Sequence, residues 1–148
     1  MKTVEVVSGE GFRQQVDAVD KNGHTALMDA AKAGNVVAVA ALLERGASVS
    51  TRSDKGKTAL HFAASHGQVE AVRLLLSKGA EVDPRDKAGH TPLMLAANYG
   101  CNQSSEVLIN SGADTLAMSH SGGTALAYAQ NNRHTQTLEL LMKSLRST

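Results

Sequence analysis

Six histidines and one cysteine are the residues best equipped for chemistry in this chain of 148 residues. The histidines are His24, His61, His66, His90, His120 and His134. A zinc site needs its ligands at spacings that bring them to one point. No histidine pair here has Cys or carboxylate neighbours at such a spacing, and His61 and His66, five positions apart, fall off one helical face. The single thiol, Cys101, follows Gly100 at an expected helix start, where the helix dipole favours a thiolate. A nucleophile also needs a base beside it, and none is predictable there. Ser121-Gly122-Gly123 is not followed by the Gly-Lys-Ser/Thr of a phosphate loop. Asp83 and Asp86 lie in a stretch of turn formers, where carboxylates are usual. The expectation is a chain with no metal, no cofactor and no enzymatic activity.

Composition narrows the remaining classes. Apolar residues make up 42% of the chain, enough for a core, but aromatics only 3%. With two Phe, two Tyr and no Trp, that core must be built from Ala, Val and Leu. The formal net charge of +1 argues against a general nucleic-acid binder, which is usually strongly basic. No run of 18 apolar residues occurs, so no spanning helix is expected. The apolar run at Met1–Val7 is short and carries Glu5, unlike a secretory signal. One cysteine cannot form an internal disulfide. A cytoplasmic or nuclear monomer is the default expectation.

What must position these residues is a repeat. Thr25-Ala26-Leu27-Met28 recurs as Thr58-Ala59-Leu60-His61, Thr91-Pro92-Leu93-Met94 and Thr124-Ala125-Leu126-Ala127, each 33 residues after the last. Gly23, Gly56, Gly89 and Gly122 keep the same step, as do Gly46-Ala47, Gly79-Ala80 and Gly112-Ala113. Each Thr suits a helix N-cap, and Pro92 occupies the one helical position that tolerates proline. A short helix should run from there toward Gly34, Gly67 or Gly100. A second follows, as over Val69–Lys78, where Val69, Val72, Leu75 and Leu76 share a face. The turn formers of Glu81–His90 predict a hairpin.

A helix–helix–hairpin unit of 33 residues with a T-P-L-H-like tetrapeptide resembles the ankyrin repeat. The resemblance implies an all-helical solenoid with short β-hairpin loops. It covers residues 20–148 as four units, about 20–52, 53–85, 86–118 and 119–148. Residues 1–19 read as a degenerate cap or partial unit. There Gly9 and Gly11 replace expected leucines, while Val16 aligns with Val49 and Val82. The family histidine that ties hairpins together remains only at His61; Met28, Met94 and Ala127 replace it. Ser105 stands where Val39, Val72 and Leu138 stand, and Arg133 replaces the glycine of positions 34, 67 and 100.

The resemblance also implies the function, which is binding another protein through the hairpin tips and the exposed side of the first helices. The expected contact positions are Lys21, Asn22 and His24; Arg52, Asp54, Lys55 and Lys57; Arg85, Lys87 and His90; and His120. On the helices they are Lys32, Ser65, His66, Asn98, Tyr99, Asn131 and Asn132, with Tyr99 the best anchor. The basic groups of the second and third tips suggest steering toward an acidic partner surface. An adaptor or regulatory binding protein is the first expectation. The alternative is an inhibitor that blocks an enzyme such as a protein kinase.

Overall fold

The computed structural model describes residues 16–146. From Ala26 on, the helices of the described residues come in four pairs: α1 (Ala26–Ala33) with α2 (Val36–Glu44), α3 (Ala59–Ser65) with α4 (Val69–Ser77), α5 (Pro92–Asn98) with α6 (Asn102–Asn110), and α7 (Ala125–Asn131) with α8 (Thr135–Arg146). Each odd-numbered helix packs on its own partner and on the next odd-numbered helix; the even-numbered helices form a second layer in the same way. The result is a stack of like units in which each unit packs on its neighbours.

The repeated threonine starts each first helix by the expected chemistry. Thr25, Thr58, Thr91 and Thr124 accept a hydrogen bond from the backbone N–H three residues on. In the first two units the third residue reaches back as well. Met28 Sδ accepts from the Thr25 N–H at 3.4 Å and His61 Nδ1 from the Thr58 N–H at 3.0 Å. Alanine dominates between the odd helices, with Ala31, Ala63, Ala64, Ala96, Ala97 and Ala129 fully buried, so their backbones can approach closely. Leu27, Leu60, Leu75, Leu93, Leu108 and Leu141 fill the space between the layers.

Two departures from the repeat carry a structural cost. The buried Ser105, and Ser104 beside it on α6, present hydroxyls that find no hydrogen-bond partner among the described residues. The corresponding residues of α4, Ala71 and Val72, bury apolar atoms there instead. Arg133 ends α7 in the left-handed region at φ 59°, where Gly34, Gly67 and Gly100 have φ of 70–74°. A side chain in that conformation crowds its own carbonyl.

The loops correct one expectation. Among the described residues they contain turns but no strand. Each loop closes on itself with few backbone bonds, as from Asp86 N–H to the His90 carbonyl (3.0 Å), too few to extend a ladder. The reading of residues 1–13 lies outside the described residues. Val16 packs on the core as Val49 and Val82 do, and Asp17 accepts from the Ser48 N–H at 3.0 Å.

Candidate functional site

The hairpins are stitched edge to edge, and that stitching builds one wall of the site. A side chain at the same place in each unit folds the turn. Asp20, Ser53, Asp86 and Ser119 accept from backbone N–H groups two to four residues ahead. Consecutive turns then pair: Asp54 N–H donates to the Asn22 carbonyl, Lys87 N–H to Lys55, and His120 N–H to Ala88, at 3.0–3.1 Å. The approach is so close that a Cβ on Gly89, which has φ +81°, would sit 2.8 Å from the His120 nitrogen.

His61 ties the second unit to the third. Its Nδ1 accepts from the Thr58 N–H, so the ring proton sits on Nε2, which donates to the His90 carbonyl at 2.9 Å. Burial pushes its pKa down to about 4, against the His90 carbonyl and the Asp86 charge, which favour the proton. A second row of ties runs along the helices. Gln68 Nε2 donates to the Lys32 carbonyl at 3.0 Å and Cys101 Sγ to Ser65 at 3.7 Å, while His134 Nε2 sits 2.9 Å from that of Asn98.

The expected basic tips prove to be partly structural. Arg52 donates to the Gly56 carbonyl and, at 2.7 Å, to that of Arg85; Arg85 in turn donates to Gly89 and, at 2.6 Å, to Met118. Lys57 Nζ lies 2.8 Å from Asp86 Oδ2. Burial pushes the Asp86 carboxyl up, but the Lys57 ammonium and the His90 N–H outweigh it and hold it below the usual range. Lys55 and Lys87 remain exposed at the tips.

Between the hairpins and the odd helices lies a groove with two adjoining cavities. The larger, of about 550 Å³, is floored by Phe62, Met94, Leu95 and Tyr128 and walled by Lys57, Ser65, His66, His90, Asn98 and Tyr99. The second, of about 470 Å³, is lined by Asn22, His24, Ser53, Asp54, Lys55, Lys57 and Phe62. Histidines from one unit pack edge-on against aromatic rings of the next: His24 on Phe62 with centroids 4.9 Å apart, and His90 on Tyr128 at 5.7 Å. His90 Nδ1 lies 3.5 Å from Asp86 Oδ2 and its Nε2 lies 3.3 Å from the Tyr128 hydroxyl, which meets Ser119 Oγ at 2.9 Å. The polar groups of the hairpin wall are therefore held in place before anything binds.

Ten of the expected contact positions thus meet in one groove: Asn22, His24, Asp54, Lys55, Lys57, Ser65, His66, His90, Asn98 and Tyr99. Lys21, Lys32, Arg52, Arg85, Lys87, His120, Asn131 and Asn132 do not line these two cavities. Asn132 is engaged with Asn98, donating to its Oδ1 at 2.7 Å. Sequence reasoning missed the floor. Phe62, Leu95 and Tyr128 occupy one repeat position, with Asp29 in the first unit, and a variable large residue at a fixed position was the available signal.

Cys101 departs from expectation. Although it caps α6, it is half-buried and its thiol donates to the Ser65 carbonyl, and burial pushes its pKa up instead of favouring the thiolate. Among the described residues no three His, Cys, Asp or Glu side chains gather as a metal site would require, and no helix is long and apolar enough to cross a membrane.

A model described as ankyrin repeats (3 copies) matches residues 3–86 and 78–147. No curated protein matches the chain.

Proposed function

The chain belongs to the ankyrin repeat family, a family of protein–protein interaction modules, and we propose that it works as a non-catalytic adaptor or regulatory binding protein that grips its partner in this groove. One observation carries the reading. The chain has only four Phe and Tyr residues, and three of them, Phe62, Tyr99 and Tyr128, converge on the larger cavity. Rigid aromatic side chains dominate binding energy where they are accessible, and Tyr99 is 61% exposed at the rim. The exposed Lys55 and Lys87 favour a partner with an acidic surface, acting chiefly on the rate of encounter.

The two contributions separate in kinetics. Once a partner is captured, Tyr99→Ala should speed its dissociation at every salt concentration, by roughly tenfold or more for a hot spot worth about 2 kcal/mol. Charge reversal at Lys55 and Lys87 should slow association, most strongly at low salt. If both variants bind as the wild type does, the partner uses another surface and the proposal fails. Inhibition of an enzyme would use the same contacts; adding the pure protein to an activity assay of the captured partner separates that role from an adaptor's.

A further inference from the structure

We infer that the groove is built for an extended acidic segment of another protein, one that places two apolar side chains three residues apart with a carboxylate between them. The inference rests on the proposed function and narrows it to a chemistry.

Three observations combine. The two cavities adjoin across Phe62 and Lys57, which line both, and they sit over successive units of the stack. Packed helices stand about 8–10 Å apart, and three residues of extended chain in the polyproline II conformation span about 9 Å at about 3.1 Å each and return the side chain to the same face, which a β-strand, alternating faces, would not. Side chains at i and i+3 of such a segment therefore reach one cavity each. Lys57 stands at the boundary. Its ammonium has three donors, and among the described residues Asp86 is the one acceptor it meets, at 2.8 Å. A carboxylate carried between the two apolar residues reaches the remaining donors, with Lys55 on the same wall.

The walls favour extended over helical backbone. A helix satisfies its own amides, whereas an extended segment brings unpaired N–H and C=O groups that need partners on burial. Asn22 in one cavity, and Ser65 and Asn98 in the other, supply side-chain donors and acceptors along the path. Asn98 receives Asn132 on its Oδ1, which leaves its amide donors for the occupant.

The test starts from a displayed library of random dodecapeptides selected on the whole protein. Replacing Lys57 would take the ion-pair partner from the buried Asp86 and disturb the turn, so the charge is probed from the peptide side. The expected enriched sequences share two apolar residues at i and i+3 with Asp or Glu between them. In fluorescence polarisation, converting that acid to its amide should weaken a synthetic peptide about tenfold, and converting it to Lys more. The protein variants Tyr99→Ala and His66→Ala, at exposed positions, should weaken the parent peptide as well. Peptides that lose affinity with Tyr99→Ala but show no acid or no such spacing overturn this inference while leaving the proposed groove intact. Peptides indifferent to both protein variants overturn both readings. A selection that enriches nothing overturns the extended-segment inference, and the captured-partner kinetics then judge the groove alone.

Discussion

His61 makes the fold sensitive to mild acid, and the size of the effect follows from its surroundings. The ring is fully buried, accepts from the Thr58 N–H and donates to the His90 carbonyl. Protonating Nδ1 would set a charge against a donor, out of water. The folded pKa of about 4 lies below the unfolded value of 6.5. Between those values the unfolded chain binds the extra proton, so the stabilisation is complete above pH 6.5 and is lost as pH falls toward 4. Integrating that linkage gives a loss of about 2 kcal/mol between pH 7.5 and pH 5, and about 3 kcal/mol by pH 4. Asp83 acts in the opposite direction, since burial raises its pKa, and the lowered Asp86 and Asp20 contribute only around or below the ordinary aspartate value of 3.8.

A difference measurement isolates the histidine. His61→Met places there the residue that units one and three already carry. The variant loses the tie to the His90 carbonyl, for about 1 kcal/mol at pH 7.5. That carbonyl keeps its bond from the Asp86 N–H. Urea unfolding followed by circular dichroism, repeated from pH 7.5 to pH 5, should show the wild-type advantage shrinking and reversing. Parallel stability curves for the two proteins across that range would refute the assignment of the acid sensitivity to His61.

Three further substitutions test the packing. Ser105→Val should raise stability by about 1 kcal/mol by burying apolar atoms in place of an unpartnered hydroxyl; a fall in the denaturant midpoint would mean the hydroxyl is satisfied. Arg133→Gly should add about 1 kcal/mol by relieving the left-handed backbone, and an unchanged midpoint would argue that the Arg side chain makes compensating contacts. Gly89→Ala and Gly122→Ala share a similar backbone conformation, φ +81° and +89°, but only the first meets a neighbour within 4 Å, the His120 backbone. Thermal unfolding should therefore find Gly89→Ala the more damaging of the two, and equal losses would show that the crowding costs nothing.

Much of the architecture was legible because the information was periodic. The 33-residue step of Thr25, Thr58, Thr91 and Thr124 located every first helix, and the apolar face of Val69, Val72 and Leu75 located a second. Ser105 and Arg133 stood out as departures from the period, and the structure gives each a physical cost. The groove was only partly legible. Tyr99 could be singled out, but its neighbours Phe62 and Tyr128 lie 37 and 29 residues away in the chain and meet it only through stacking. The double duty of Arg52 and Arg85 was hidden as well. An arginine at a loop tip looks the same in sequence whether it faces a partner or donates to a carbonyl one unit ahead. The half-burial of Cys101 was likewise hidden, because a helix start is visible in sequence and the cover given by the preceding unit is not.

The row in which Gln68, Cys101 and His134 reach back to the carbonyl of the previous unit has a kinetic meaning. Those ties span 36 residues, and each hairpin tie spans about the same. Closing one joint therefore orders a loop of similar length to the next, and the entropic cost per joint stays nearly constant along the chain. Growth can begin at any joint and spread in both directions, as in a zip fastener. Its pace is set by the poorest joint, where Ser104 and Ser105 bring unpartnered hydroxyls into the even-helix layer. A stack that opens will part there first, with α1–α4 still closed and α5–α8 released on the far side. The half that stays closed holds the second cavity whole, while the larger cavity, which takes Met94, Tyr99 and Tyr128 from beyond that joint, comes apart with it.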